Sequence, residues 1–102
     1  MDAATLSARG DGGFALAGDL VFDTVPALLA AGEAAFGMRD QVHVDLAGVG
    51  RVDSAGLALL LEWSISRRAA GCAVAYRNVP PALRSLAAIS EVEGLLAEAG
   101  TG

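Results

Sequence analysis

Residues 41–71 read QVHVDLAGVGRVDSAGLALLLEWSISRRAAG, and they hold a strand, a loop and a helix in that order. Val42, Val44 and Leu46 alternate with Gln41, His43 and Asp45, the period-two pattern of a strand with one apolar and one polar face. The alternation stops after Leu46, so Ala47 to Asp53 reads as a loop that ends at Ser54. A long apolar helix follows from about Ala55 to Ala70, with Gly71 as its stop signal. The chain then returns to β spacing at Cys72 to Tyr76, where Val74 and Tyr76 share a face. Strand, helix, strand in this order implies a right-handed crossover and parallel pairing.

On the amino-terminal side, Thr5 to Arg9 and Phe14 to Leu16 are short alternating runs separated by Gly10-Asp11-Gly12-Gly13. Asp-Gly between two such runs predicts a hairpin, because glycine accepts the positive φ of a tight turn. Gly18-Asp19 closes the second run. Asp23 and Thr24 suit a helix start, Pro26 is tolerated in a first turn, and Val25, Leu28, Leu29, Ala35 and Phe36 follow at helical spacing up to Gly37. On the carboxyl-terminal side, Val79-Pro80-Pro81 opens a helix through Ile89, and Ser90 caps a last short helix over Glu91 to Ala99. The expected architecture is one α/β domain over residues 1–102, a mixed sheet of about four strands backed by helices, in the order β-β-α-β-α-β-α-α.

Composition narrows the function. The chain has 102 residues, 54% hydrophobic but only 5% aromatic, so its core is built mostly from Ala, Val and Leu. The net charge of −5 repels phosphate backbones and anionic lipid heads, which argues against binding nucleic acid or a membrane surface. Cys72 is the single cysteine; it excludes an internal disulfide and reads as a small core residue rather than a nucleophile. No signal-peptide pattern opens the chain and no apolar run approaches the roughly 20 residues of a membrane span, so a soluble, cytoplasmic protein is expected.

Val52 to Trp63, VDSAGLALLLEW, carries the candidate site. Ser54 stands where a hydroxyl caps a helix by accepting from an unpaired backbone N–H. Gly56 leaves the first turn free of side-chain bulk, open to close approach. The helix start favours an anion, but Asp53 opposes a free one and no P-loop cradle is present. At about 100° per residue, Leu57, Leu60, Leu61 and Ile65 share a face suited to the core. Leu59 and Trp63 fall on another flank, either covered by a neighbouring helix or left for a partner. His43 has no second residue at metal-ligand spacing, so no metal is expected. His43, Asp45 and Ser54 contain the residue types of a hydrolytic triad, but the GxSxG elbow is missing, and His43 and Asp45 sit side by side on one strand face. No catalytic set and no cofactor are expected.

Asp45 through Leu61, with Ser54-Ala55-Gly56 opening a Leu-rich helix, resembles the signature of the STAS domain family. That family includes anti-sigma factor antagonists, the cytoplasmic tails of anion transporters, and the MlaB subunit of the phospholipid-trafficking Mla ABC transporter. Gly18-Asp19-Leu20 with Asp23-Thr24, and Asn78-Val79-Pro80 followed by Leu83, Leu86 and Ile89, resemble its other turns, and the MlaB-like members look closest. The resemblance implies a non-catalytic subunit that binds the transporter's ATPase, in the cytoplasm and peripheral to the inner membrane, within a system maintaining outer-membrane lipid asymmetry. Its partner surface would comprise Asp53, Ser54, Ala55, Gly56, Leu59 and Trp63. The alternative it implies is an anti-sigma factor antagonist bound by a kinase that phosphorylates Ser54; a second Ser common there is replaced by Ala55.

Overall fold

A computed structural model describes residues 4–10, 12–37 and 39–89. Its elements are β1 (Thr5–Ala8), β2 (Phe14–Leu20), α1 (Val25–Phe36), β3 (Gln41–Val52), α2 (Ser54–Ala69), β4 (Ala73–Arg77) and α3 (Pro81–Ile89). The expected helix over Glu91 to Ala99, with its Ser90 cap, lies outside the described residues. The four strands form one sheet in the order β1-β2-β3-β4. β1 and β2 pair antiparallel as the predicted hairpin, and β2–β3 and β3–β4 pair parallel through the two helical crossovers.

Two strand boundaries differ from the sequence reading. β2 continues through Gly18-Asp19 to Leu20, and β3 runs on to Val52 where a loop was expected. The reason is a pair of irregularities in the β2–β3 ladder, one between Ala15 and Ala17 and one between Gly18 and Leu20. Each gives β3 one extra residue, as a β-bulge does. The β3 residues in or against the core are therefore Val42, Val44 and Leu46, then Val49 and Val52. Spacing of two gives way to spacing of three, which hides the strand from a period-two search. Asp19 Oδ1 accepts from Arg51 N at 2.8 Å and lies where a side chain at Gly50 would sit, so one carboxylate stitches the second irregularity. β4 begins one residue later than expected, leaving Cys72 half-buried in the turn before it.

One sheet face carries the core. Phe14, Leu16 and Leu20 of β2, Val42, Val44 and Leu46 of β3 and Tyr76 of β4 are buried with Leu28 and Phe36 of α1, Leu57, Leu59, Leu60 and Trp63 of α2 and Leu83 of α3. Tyr76 Oη donates to the Leu60 carbonyl at 2.7 Å, tying β4 to α2, and burial pushes its phenol well above the ordinary tyrosine pKa. Outward-pointing positions are small or polar: Ala15 and Ala17 on β2, His43 and Asp45 on β3, Ala75 and Arg77 on β4.

The buried stripe of α2 is broader than one sheet face requires, and this decides the place of Leu59 and Trp63. Both are buried, and Trp63 lies under α1. Gly32 of α1 makes the room: a Cβ there would stand 2.5 Å from the Trp63 indole. Phe36 meets the Trp63 ring edge-on with centroids 5.1 Å apart, and Phe14 meets Phe36 in the same way. Leu59 and Trp63 thus belong to the fold and not to the exposed surface. Ile65 goes the other way: expected in the core, it is 54% exposed.

Candidate functional site

Two turns meet at the end of the sheet where β2 and β3 finish. Asp53 is extended, with φ −133° and ψ −173°, and its Oδ1 accepts from Ala55 N at 2.8 Å and Gly56 N at 3.1 Å. Asp53, not Ser54, is therefore the cap of α2. The cap moves back one residue because an extended Asp53 can reach the two N–H groups ahead of it, whereas Ser54 already lies in the helix. Relieved of that duty, the Ser54 side chain is exposed in the first turn.

The other oxygen of Asp53 links α2 to the turn between β2 and α1. Phe22 N donates to Asp53 Oδ2 at 3.1 Å. Within that turn, Thr24 Oγ1 accepts from Val21 N at 3.1 Å and lies 2.7 Å from the Asp19 carbonyl, to which it donates. Thr24 thus spends its hydroxyl on the turn and gives α1 no side-chain cap. The turn is pinned at both ends, and Phe22 stands on it 77% exposed. Phe22 was not singled out in the sequence; a large apolar residue next to an Asp-Thr turn was the available signal.

Gly56 has a different role from the one its sequence suggested. It is buried, and a Cβ there would lie 2.3 Å from the Leu20 carbonyl oxygen. That carbonyl also accepts from Asp53 N at 3.1 Å. The glycine lets the end of β2 close onto α2, so no outside molecule approaches the backbone there. Ala55 is half-buried. Of the six expected partner residues, Ser54 remains at the surface, Asp53 and Ala55 are partly accessible, and Gly56, Leu59 and Trp63 are internal. Ala58 and Ile65, exposed, and Leu61, half-buried, follow Ser54 at helical spacing and continue its outward face.

His43, Asp45 and Ser54 are not brought together. Asp45 Oδ1 accepts from Asn78 Nδ2 and Ala47 N, each at 2.9 Å, and Oδ2 pairs with Arg9 Nη1 at 2.6 Å. The Asn78 bond foremost, then Ala47 N and Arg9, hold its carboxyl below the usual carboxylate range. At about 3.3 Å per strand residue, the rest of β3 separates Asp45 from Ser54 by on the order of 20 Å, too far for a relay. Among the described residues no group of three or more His, Cys, Asp or Glu could hold a metal ion, and no helix is long and apolar enough to cross a membrane.

The family model described as "Mlab, STAS domain" matches residues 4–97. The chain belongs to the STAS domain family. Among solved structures it is similar to the anti-sigma factor antagonist SpoIIAA in its unphosphorylated form, at TM-score 0.64 and 19% identity over 90% of this chain and 99% of that one. The phosphorylated Bacillus cell fate determinant SpoIIAA gives TM-score 0.69 and 19% identity over 95% and 91%. The murine anion transporter Slc26a9 gives TM-score 0.60 and 15% identity over 92% of this chain and 18% of that one. At these identities the likeness is one of fold. No curated protein matches the chain.

Proposed function

We propose that this STAS domain is a non-catalytic docking subunit that binds and supports the ATPase of a phospholipid-trafficking ABC transporter of the Mla type. It would sit in the cytoplasm, held at the inner membrane through that partner, in a system that maintains outer-membrane lipid asymmetry. The family match to a model described by MlaB supports the class of partner. The observation that carries the surface is the pairing of exposed Ser54 with exposed Phe22 across Asp53, whose carboxylate holds both turns. A rigidly held, exposed aromatic beside a small polar helix start has the makeup of an interface centre, since aromatic anchors with little entropy to lose contribute most to binding. Ala58 and Ile65 extend the contact along α2.

A second reading is favoured by one observation. Ser54 is exposed and free of capping duty, as a phosphorylated serine in an anti-sigma factor antagonist must be.

Co-expression with the ATPase of an Mla-type transporter separates the two. Ser54→Arg and Phe22→Ala should each remove the ATPase from the purified complex while leaving the melting temperature within a few degrees of wild type. Normal copurification of both folded variants sinks the docking surface. Phosphate transfer from a cognate anti-sigma kinase to wild type but not to Ser54→Ala would establish the second reading instead.

A further inference from the structure

The sheet face opposite the helices holds a hollow of about 190 Å³ lined by Arg9, Gly13, Phe14, His43, Asp45 and Arg77. We propose that this hollow is a binding site for a phosphate group. It is separate from the Ser54 surface, and the proposal does not depend on the docking reading.

The space arises from residue size. His43 is level with Ala75 on β4, and Gly13 immediately precedes the Phe14–Val44 pair on the other side. Neither neighbour has a side chain long enough to fill the gap beside the imidazole. Arg9 follows β1, and Arg77 ends β4 in register with Asp45, so cationic groups border the space from both sides. In a chain of net charge −5 this is a local reversal of sign.

Asp45 is the one carboxylate among these residues, and its oxygens are already engaged by Arg9, Asn78 and Ala47 N. It therefore offers little to a cation. Arg77 is in register with Asp45 but makes no side-chain hydrogen bond or ion pair among the described residues. Among the described residues His43 Nδ1 has no hydrogen-bond partner and is closed off from solvent, so the imidazole serves as a wall of the hollow and not as a donor from that nitrogen. An oxyanion in the hollow would accept from the Arg77 guanidinium, with Arg9 supplying further positive potential from the opposite side. Guanidinium groups on both sides, Arg9 after β1 and Arg77 at the end of β4, suit a doubly charged phosphate better than a singly charged carboxylate, which a single guanidinium fork would satisfy.

His43 is the only histidine in the chain, so its ring resonances report the site without ambiguity. Inorganic phosphate and, separately, glycerol phosphate are titrated into the protein at constant pH and ionic strength, in a phosphate-free buffer, while the ring shifts are followed by NMR. The expected result is saturation with at least one of the two probes, and weakening by about tenfold or more in Arg77→Gln, the loss of one charged hydrogen bond. Ser54→Arg should bind the probe as wild type does. Saturation by inorganic phosphate identifies the free ion as a sufficient ligand; saturation by glycerol phosphate alone points to a phosphomonoester. Shifts that rise linearly without saturating, equal affinity in folded Arg77→Gln, or acetate binding as tightly as phosphate would each overturn the proposal.

Discussion

The first turn of α2 and its middle lie on one continuous helix, yet they answer to different demands. In the middle, Leu59 and Trp63 are buried, and the indole packs against α1, where Gly32 is hollowed out to receive it. Among the described residues Trp63 Nε1 has no hydrogen-bond partner, so the ring is held there by packing. In the first turn, Ser54 touches water and Asp53 does the structural work with both oxygens. Five to nine residues separate Ser54 from Leu59 and Trp63, and the change from surface to core is complete over that span. Proximity in sequence to a functional motif therefore says little about which side chains a partner can reach; the neighbouring helix decides it.

Truncating the middle should have the largest effect. Trp63→Ala removes a buried indole packed on Phe36 and Gly32, and is expected to cost about 3–5 kcal/mol. Urea denaturation followed by circular dichroism measures this, and a loss below 1 kcal/mol would dissolve the contrast between the two regions. The cap comes next. Asp53→Ala frees Ala55 N, Gly56 N and Phe22 N together, and should cost about 1–2 kcal/mol; hydrogen exchange should quicken at Phe22 as well as at the start of α2. Faster exchange at Ala55 and Gly56 alone would show that the two turns are not coupled through this carboxylate. The smallest effect belongs to Ser54→Ala, expected within about 0.5 kcal/mol of wild type because an exposed residue outside the cap contributes little. A loss near 1 kcal/mol in the same urea experiment would return the cap to Ser54.

Most of the fold was legible because its elements follow simple periods. Gln41 to Leu46 alternates cleanly, the Asp-Gly turn marks the hairpin, and Pro81 and Gly37 mark helix ends where the structure has them. What escaped notice was set by contacts between elements. The second half of β3 lost its alternation to bulges that exist only against β2. The role of Gly56 depends on the Leu20 carbonyl, and that of Gly32 on an indole thirty-one positions away. The site was legible as a segment: Asp53 and Ser54 are where the motif put them, but their division of labour turned on one backbone conformation. Phe22 joins them through a hydrogen bond across thirty-one residues, which no local pattern announces.

From the Phe14–Val44 pair to the Leu20–Val52 pair, β2 advances six residues while β3 advances eight. The two strands finish level only because of this unequal count, and the α2 cap and the Phe22 turn are both built on that finish. Residues 47–52 are thereby a spacer of defined length, whatever their side chains. Removing one residue from them would bring α2 to the sheet edge out of step, with Asp53 offset from both sets of N–H groups it serves. Chimeras that exchange the Ser54 segment between family members should therefore transplant β2 and residues 41–56 together, as a matched pair of lengths, to keep the junction closed.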